Sequence, residues 1–369
     1  MGTDQTAVQS SINYWMQRTF KEKGSIMAAG QVALGTTKGS VREDNQDRAA
    51  VLTFFPNEHL SEAVQVAVLC DGIGGLKDGG NASVLAISSF VAELVDLSDD
   101  NLKGRLRSAA KVANDEVYNK YRGKGGCTLS AVSTNRKGVV EIVNYGDSRV
   151  YLQSGEELTQ LSTDDTLDGQ LAKMDRQVDV SLPEFKHLVQ FIGMEGELDT
   201  SPIDTKDIKS GDRLILASDG AYDVEFSTME KILVNSSSTE DGIKKLLLLS
   251  DWIGGKDNAT VVCMPAFSSV EGYKSMTMPT FEICTWSASY IFSVSEFRRE
   301  LSTVSSVAKS TSATVEEAER DQDAQKAKKK KAPKKKKVKE PSENHKEKKD
   351  KNDEEAVQLK IEFGEDELG

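Results

Sequence analysis

The chain has 369 residues and a formal net charge of −12, and 38% of its residues are hydrophobic. That length is sufficient for one large domain with appendages and a full core. The charge is uneven, because residues 326–351 hold fourteen lysines and four acidic residues, a local charge of +10 that leaves −22 elsewhere. An acidic body argues against general nucleic-acid binding by the folded part.

Cysteine usage points to a reducing compartment. Cys70, Cys127, Cys263 and Cys284 lie far apart and form no CxxC pair. This spacing argues against a zinc site and against disulfides, so we expect buried free thiols and a cytoplasmic location. The N-terminus lacks the apolar core of a signal peptide, and no apolar run is long enough to predict a transmembrane segment.

The first chemically suggestive stretch is a polar loop at residues 36–48. Before it, residues 1–29 predict a short helix and a joint at the periphery, and a strand begins at residue 31. The loop carries Arg42 and Asp47. Arginine suits a phosphate dianion, because its planar fork donates two parallel hydrogen bonds. A solvated charged loop is the alternative, and the loop alone does not decide between them.

The next stretch, VQVAVLCDGIGG at residues 64–75, is the one around which the chain is organised. Its apolar run predicts a buried strand that ends at Asp71. The glycines that follow, Gly72 first, let the backbone approach a ligand closely. An ordinary turn has the same pattern, but a carboxylate at a buried strand end is costly unless a positive charge meets it.

The same pattern recurs three times further along the chain. Apolar strands meet Asp147 in VEIVNYGDSR, Asp219 in RLILASDG and Asp257 in DNATVVCM. Four aspartates at the ends of apolar strands indicate one shared acidic site rather than four unrelated turns.

The remaining pattern predicts an α+β fold. Apolar residues at helical spacing predict four helices, at residues 82–95, 102–121, 229–234 and 242–252. Helices and strands that come in blocks favour α+β over a doubly wound parallel sheet. Beyond residue 265 the pattern weakens, although residues 281–301 predict one more packed element. The lysine-rich stretch is too charged to bury a core and predicts disorder.

The chain resembles the metal-dependent type 2C (PPM) serine/threonine protein phosphatases, in the motif variants of their bacterial members. The resemblance covers residues 32–264 and rests on six stretches in the expected order: VREDNQD, VAVLCDGIGG, GGCTL, NYGDSR, LILASDG and KDNATVV. It implies a four-layer α-β-β-α sandwich of two antiparallel sheets flanked by helices. We therefore expect a phosphatase domain at 30–267. The composition of the flanking sequence predicts a peripheral N-terminal segment 1–29, a partly ordered extension 268–325, a lysine-rich disordered tail 326–355 and an acidic peptide 356–369.

The resemblance implies two Mn²⁺ or Mg²⁺ ions between the sheets, with a site for a third, weaker ion. Hard divalent cations prefer carboxylate oxygens. Matched position by position, Asp71 would bridge both ions and Gly72 would offer its carbonyl to one. Asp219 and Asp257 would complete the other shell, and Asp147 would share the third ion with Asp219.

The other implied roles concern the substrate and the surrounding loop. Arg42 would bind the substrate phosphate, so the catalytic set is Arg42, Asp71 and Asp219, while Asp47 keeps a supporting metal role. Two departures stand out. Gln46 replaces a glutamate of many relatives, and Ile73 occupies the position of a histidine in animal members.

The implied function is hydrolysis of phosphoserine and phosphothreonine in proteins by a water that two metal ions activate. The partners are then phosphorylated proteins and a cognate Ser/Thr kinase. An alternative is a catalytically weak regulatory or scaffold protein that acts through its basic tail, for which Gln46 is the support. That tail would contact nucleic acid or acidic proteins.

Overall fold

The structure is a computed structural model that describes residues 7–17, 24–29, 31–55, 63–74, 78–96, 104–135, 137–173, 187–199, 203, 205, 208–266, 280–285 and 288–293. The chain divides into two compact units, Met1–Ala313 and Thr314–Gly369, and every described residue belongs to the first. The predicted tail 326–355 and acidic peptide 356–369 therefore lie outside the described residues.

Twelve strands and seven helices occur in the described part. The strands are β1 Gly24–Ala29, β2 Val32–Thr37, β3 Arg48–Phe55, β4 Val64–Cys70, β5 Leu129–Asn135, β6 Val140–Tyr145, β7 Arg149–Ser154, β8 Glu157–Gln160, β9 Arg213–Ala217, β10 Ala259–Pro265, β11 Thr280–Thr285 and β12 Ala288–Ser293. The helices are α1 Ala7–Gln17, α2 Gly79–Asp96, α3 Arg105–Tyr121, α4 Leu167–Lys173, α5 Asp219–Tyr222, α6 Phe226–Val234 and α7 Thr239–Trp252.

The strands form two six-stranded sheets. The first has the order β1-β2-β10-β9-β7-β8 and the second β12-β11-β3-β4-β5-β6. All pairings within both sheets are antiparallel among the described strands.

Strand β4 shows why its sequence is a continuous apolar run. Ala67 and Leu69 pack into the core between the two sheets. Val66, Val68 and Cys70 point the other way and pack against the helical layer. Because successive side chains of a strand alternate between faces, a strand covered on both sides is apolar throughout.

Helices cover the outer face of each sheet. The second sheet packs on α2 and α3, with α1 packed against α2. The first sheet packs on α6 and α7. With the core between the sheets, this makes four layers. The predicted α+β sandwich of two antiparallel sheets flanked by helices is confirmed.

At both ends of the described part, packed elements lie outside the expected domain limits of 30–267. Ile12 and Met16 of α1 are each 1% exposed and lie in the helical-layer core, so this helix is not peripheral. Strand β1 then pairs with β2 and extends the first sheet. At the other end, the apolar stretch expected to pack does so as β11, which joins β3, and as β12 at the edge.

The predictions about the cysteines and about membrane-spanning segments can be compared with the described residues. Cys70, Cys127, Cys263 and Cys284 are free thiols and buried, as predicted. Within the part of the chain that the structure describes, no helix combines the length and the apolar character needed to cross a membrane.

Candidate active site

Strand register brings Asp47 and Asp71 to the same end of the second sheet. In the β3–β4 pair, Arg48 lies opposite Cys70. The residues one step beyond this pair are Asp47 and Asp71, so the two carboxylates leave neighbouring strands at one level. Asp47 is completely buried, whereas Asp71 is half-buried.

The register of the first sheet does the same for Asp147 and Asp219. Ala217 of β9 lies opposite Arg149 of β7. Asp219 and Asp147 lie two residues beyond this pair, at the same end of the two strands. Asp257 precedes β10, the strand next to β9, by two residues. The first sheet therefore presents three carboxylates at one end.

Short polar side chains join the ends of the two sheets. Ser218 Oγ donates to Asp47 Oδ2 at 2.8 Å and accepts from Thr260 N at 2.9 Å. Thr128 Oγ1 accepts from Asp71 N at 2.9 Å and lies 2.7 Å from Ser148 Oγ. Through these hydroxyls, the segments that carry the five aspartates form one site.

Burial and mutual repulsion shift the pKa values of these aspartates upward. Burial raises the pKa of Asp71 well above its ordinary value, and Asp47 and Asp219 add to the effect. Burial, followed by repulsion from Asp257 and Asp147, raises the pKa of Asp219 to about 7. Burial also raises the pKa of Asp147 to about 6 and that of Asp47 in the same direction. The site therefore favours any positive charge that comes between the carboxylates.

Arg42 is the cation that meets this acidic group. Its Nη2 donates to Asp257 Oδ2 at 2.5 Å, and both side chains are partly exposed. The guanidinium also lies against Gly74, where an added Cβ would come 2.7 Å from Nη1. The arginine loop and the glycine-rich turn after β4 thus face each other across the site.

Asn258 fixes the loop that carries Arg42. Its Oδ1 accepts from Gln46 N at 2.8 Å, and its Nδ2 donates to the carbonyls of Lys38 and Asp44 at 2.8 and 3.1 Å. One side chain therefore ties both halves of the loop to the segment that begins β10.

The glycines after β4 permit close backbone packing. A Cβ at Gly72 would lie 2.6 Å from the carbonyl carbon of Gly79, and a Cβ at Gly79 would lie 2.8 Å from Gln46 Oε1. Gln46 thus lies beside both glycines. Ile73 N donates to the Gly126 carbonyl at 3.1 Å, which ties the turn after β4 to the segment that precedes β5.

A polar cavity of about 570 Å³ opens onto the aspartates of the first sheet. Its lining includes Asp147, Asp219, Tyr222, Ile253, Lys256 and Asp257. Of the histidines, His187 is exposed and is not among the residues lining this cavity. His59 lies outside the described residues.

The oxygen-rich residues fit a hard divalent cation in their chemistry. Asp47 Oδ1 and Asp219 Oδ1 are buried without a hydrogen-bond partner among the described residues, and carboxylate oxygens in this state are suited to metal ligation. In the described part, no set of three or more His, Cys, Asp or Glu side chains already surrounds a single ion position. Arg42 contacts Asp257 instead, so Asp257 would have to turn away from Arg42 to join a ligand shell.

The structure brings together all the residues that the sequence singled out: Arg42, Asp47, Asp71, Gly72, Asp147, Asp219 and Asp257. Sequence reasoning missed Thr128, Ser218 and Asn258, which position them. The signal was present, since all three lie inside the six motif stretches. Serine, threonine and asparagine beside a glycine or aspartate are also ordinary turn residues, so the pattern did not distinguish them.

Comparisons with known proteins find protein phosphatases among the relatives of this chain. No protein-family model matches the chain. Protein phosphatase PhpP of Streptococcus pneumoniae is 28% identical over 244 residues, which cover 63% of this chain and 95% of that protein. The catalytic domain of serine/threonine protein phosphatase PstP, solved with two manganese ions, is 28% identical with a TM-score of 0.50, over 65% of this chain and 97% of that one.

A third relative supports the same fold. The PPM Ser-Thr phosphatase MsPP of Mycobacterium smegmatis, solved in complex with cacodylate, is 25% identical with a TM-score of 0.53, over 64% of this chain and 98% of that one. The predicted resemblance to type 2C phosphatases is confirmed by these relatives, each of which is matched over nearly its whole length.

Proposed function

We propose, from this resemblance and this site, that the chain is a metal-dependent phosphatase that removes phosphate from phosphoserine and phosphothreonine of proteins. The observation that carries the proposal is the meeting of five strand-end aspartates with Arg42 in one place. The relatives carry the same activity in their names. The scaffold alternative rested on Gln46 alone and is not favoured by these relatives.

The residues divide into an ion-holding set and a phosphate-binding group. Two Mn²⁺ or Mg²⁺ ions would be held by Asp71, the Gly72 carbonyl, Asp219 and Asp257, with Asp47 in support. Asp147 and Asp219 would hold a third, weaker ion. Bound ions of this type supply Lewis-acid stabilisation of the phosphoryl oxygens and lower the pKa of bound water. PstP, solved with two manganese ions, supports this ion pair.

Arg42 binds the phosphate dianion in this proposal. Its guanidinium is partly exposed at the site, where it contacts Asp257 in the ion-free chain. A fork of two parallel N–H donors matches two phosphate oxygens. Asn258 fixes the backbone of the Arg42 loop from both sides, so the arginine is kept at the site before the substrate binds. Such preorganisation lowers the ordering that substrate binding requires.

Asp47 supports the proposed ion ligands through a hydrogen bond next to Asp219. It is fully buried and accepts a hydrogen bond from Ser218, one residue before Asp219. This bond orients the Asp47 carboxylate and couples the ends of the two sheets. Its second oxygen is buried and has no hydrogen-bond partner among the described residues. Asp47 therefore adds a further carboxylate to the site, which favours the binding of cations there.

The test is ion-dependent hydrolysis. The full chain should hydrolyse p-nitrophenyl phosphate and a phosphothreonine peptide when Mn²⁺ or Mg²⁺ is added, and should stop in excess chelator. Asp71→Asn should reduce turnover by several orders of magnitude, because a shared ligand serves both ions. Asp115→Asn, at an exposed carboxylate of α3, is the matched control. Full turnover in chelator, or equal loss in both variants, would contradict the proposal.

Three further points belong to the same proposal. We infer a cytoplasmic location, because all four cysteines are free thiols and buried, as expected in a reducing compartment. A cognate Ser/Thr kinase would supply the phosphorylated substrates.

The lysine-rich residues 326–351 would contact nucleic acid or acidic proteins, since they carry a local charge of +10. Deleting them should weaken such binding and flatten its salt dependence, while ester hydrolysis persists.

A further inference from the structure

Three large apolar side chains are exposed beside the candidate active site. Trp252 ends α7 and is 84% exposed, Ile253 follows it at 45%, and Val41 in the Arg42 loop is 66% exposed. Single exposed apolar residues are common and need no explanation. Several of them near a cavity, one of them a tryptophan, are typical of a binding surface. We refer to these three residues as the apolar rim.

Backbone hydrogen bonds hold the two parts of the rim against each other. The Gly255 carbonyl accepts from Ser40 N at 2.8 Å and from Val41 N at 3.1 Å. The packing is close, because a Cβ at Gly255 would come 2.7 Å from Ser40 N. Val41 and the turn after Trp252 therefore belong to one surface whose two sides are fixed relative to each other.

The rim is continuous with the place where phosphate would bind. Ile253 lines the cavity together with Lys256 and Asp257. Val41 is the immediate neighbour of Arg42, whose guanidinium contacts Asp257. A peptide whose phosphate reaches Arg42 therefore comes close to Val41, and one that also enters the cavity comes close to Ile253. The rest of the cavity lining is mainly charged or polar, so Ile253 is the rim residue that gives this cavity an apolar side, while Val41 and Trp252 lie outside its lining.

We propose that the apolar rim binds a bulky apolar side chain of the substrate protein close to its phosphorylated residue. This inference rests on the proposed phosphatase function and names its preferred substrate class. Tryptophan offers a large rigid surface with few rotatable bonds, and Leu248, one helical turn before it, is also exposed and extends the same face. Burying one leucine of the substrate against these side chains removes apolar area from water.

The test compares pairs of phosphothreonine peptides whose two members differ at one position. In each pair, one peptide carries leucine and the other serine at that position, which is varied from two residues before to two residues after the phosphothreonine. With the full chain and Mn²⁺, at least one leucine position should raise kcat/KM about tenfold over serine, a difference of about 1.4 kcal/mol. Each value is divided by that of p-nitrophenyl phosphate for the same protein, which corrects for differences in folding or ion loading.

Trp252→Ala should abolish most of the leucine preference by raising KM for the leucine peptide. Ile253→Ser should reduce it independently, which guards against a single misfolded variant. Tyr14→Ala removes another exposed aromatic side chain, from α1 on the far helical layer, and should keep the full preference.

The outcomes separate this inference from the proposed function. No ion-dependent hydrolysis of any substrate would overturn the phosphatase function itself. Hydrolysis with no leucine preference, or a preference that survives both rim variants, would overturn the rim alone. A dimer at assay concentration that Trp252→Ala converts to monomer, measured by sedimentation, would show that a second copy of the chain covers the rim and would also overturn the inference.

Discussion

Arg149 and Asp164 form a two-point ion pair beside the candidate active site. The guanidinium donates from Nε to Oδ1 at 3.0 Å and from Nη2 to Oδ2 at 2.8 Å. Its carbon also lies 3.9 Å from the ring centre of Tyr222, whose hydroxyl donates to the Asp147 carbonyl at 2.8 Å. The pair thus connects β7, the segment before α4 and the backbone of a proposed ion ligand.

Asp164→Asn should destabilise the folded chain by about 1–3 kcal/mol, because it leaves a mostly buried guanidinium without its charged partner. The side chains of Arg149 and Asp164 are 29% and 17% exposed. Urea denaturation would measure the loss. Lys111→Gln breaks a pair whose side chains are 67% and 51% exposed, and should change stability little. Equal effects of the two substitutions would show that the Arg149 pair is no stronger than a surface contact.

The stability of the ion-free chain should fall as pH rises from about 4 to about 7. The pKa of Asp219 is raised to about 7 and that of Asp147 to about 6, against an ordinary value of about 3.9. Between those limits the folded chain binds more protons at these groups than the unfolded chain. Their contribution to the free energy of unfolding therefore decreases with pH and levels off above about pH 7.

Asp219→Asn should consequently stabilise the ion-free chain near pH 7.5 while it abolishes hydrolysis. One pKa unit corresponds to about 1.4 kcal/mol, so we expect a gain on the order of 1 kcal/mol or more that disappears near pH 4. Urea denaturation in chelator at several pH values measures it. Asp115→Asn, at an exposed position, should give no such pH trend. A destabilised Asp219→Asn chain at pH 7.5 would contradict the repulsion argument.

Arg42→Ala should raise KM for p-nitrophenyl phosphate more than it lowers kcat, provided that the phosphate contact is equal in ground and transition states. Arg42→Lys should restore binding only in part, because a point charge lacks the two-donor fork. Steady-state kinetics at saturating Mn²⁺ measure both effects. If Arg42→Ala leaves KM and kcat unchanged, phosphate binds elsewhere and the ion pair with Asp257 is structural only.

Gly72→Ala should impair both folding and ion binding. Its Cβ would lie 2.6 Å from the Gly79 backbone and 2.9 Å from Gln46 Cβ, so the turn or α2 must shift, at about 1–3 kcal/mol. Thermal unfolding and Mn²⁺ titration calorimetry report the two losses. Gly24→Ala, where the nearest contact would be 3.3 Å, is the control. Normal Mn²⁺ affinity in Gly72→Ala would remove the Gly72 carbonyl from the ligand set.

Sequence reasoning reached the acidic site because of how β4 and β9 are buried. Both strands are covered on two faces, so their apolar runs are unbroken and end sharply at Asp71 and Asp219. Strand β3 was not predicted, although it is equally buried. It begins directly after a charged loop, at Arg48, whose side chain is completely buried, and arginine ordinarily signals an exposed residue.

Other elements depend on distant partners that the sequence alone does not reveal. Strand β1 contains glycine and alanines and is stabilised by pairing with β2 rather than by its own propensity. Strand β11 pairs with β3 across more than 200 residues of chain. The bond from Ser218 to Asp47 links residues 171 positions apart. Local patterns carry information on burial and periodicity, but not on such pairings.

The position of β10 has a consequence for how the chain folds during synthesis. It is the last strand of the first sheet in sequence, yet it lies between β2 and β9, and its Ala259 pairs with Thr37, roughly 220 residues earlier. Until β10 leaves the ribosome, β2 and β9 expose unpaired edges, which favour association with other chains. Because Asp257 arrives with the same strand, a nascent or truncated chain that stops before β10 should be both catalytically silent and prone to aggregate.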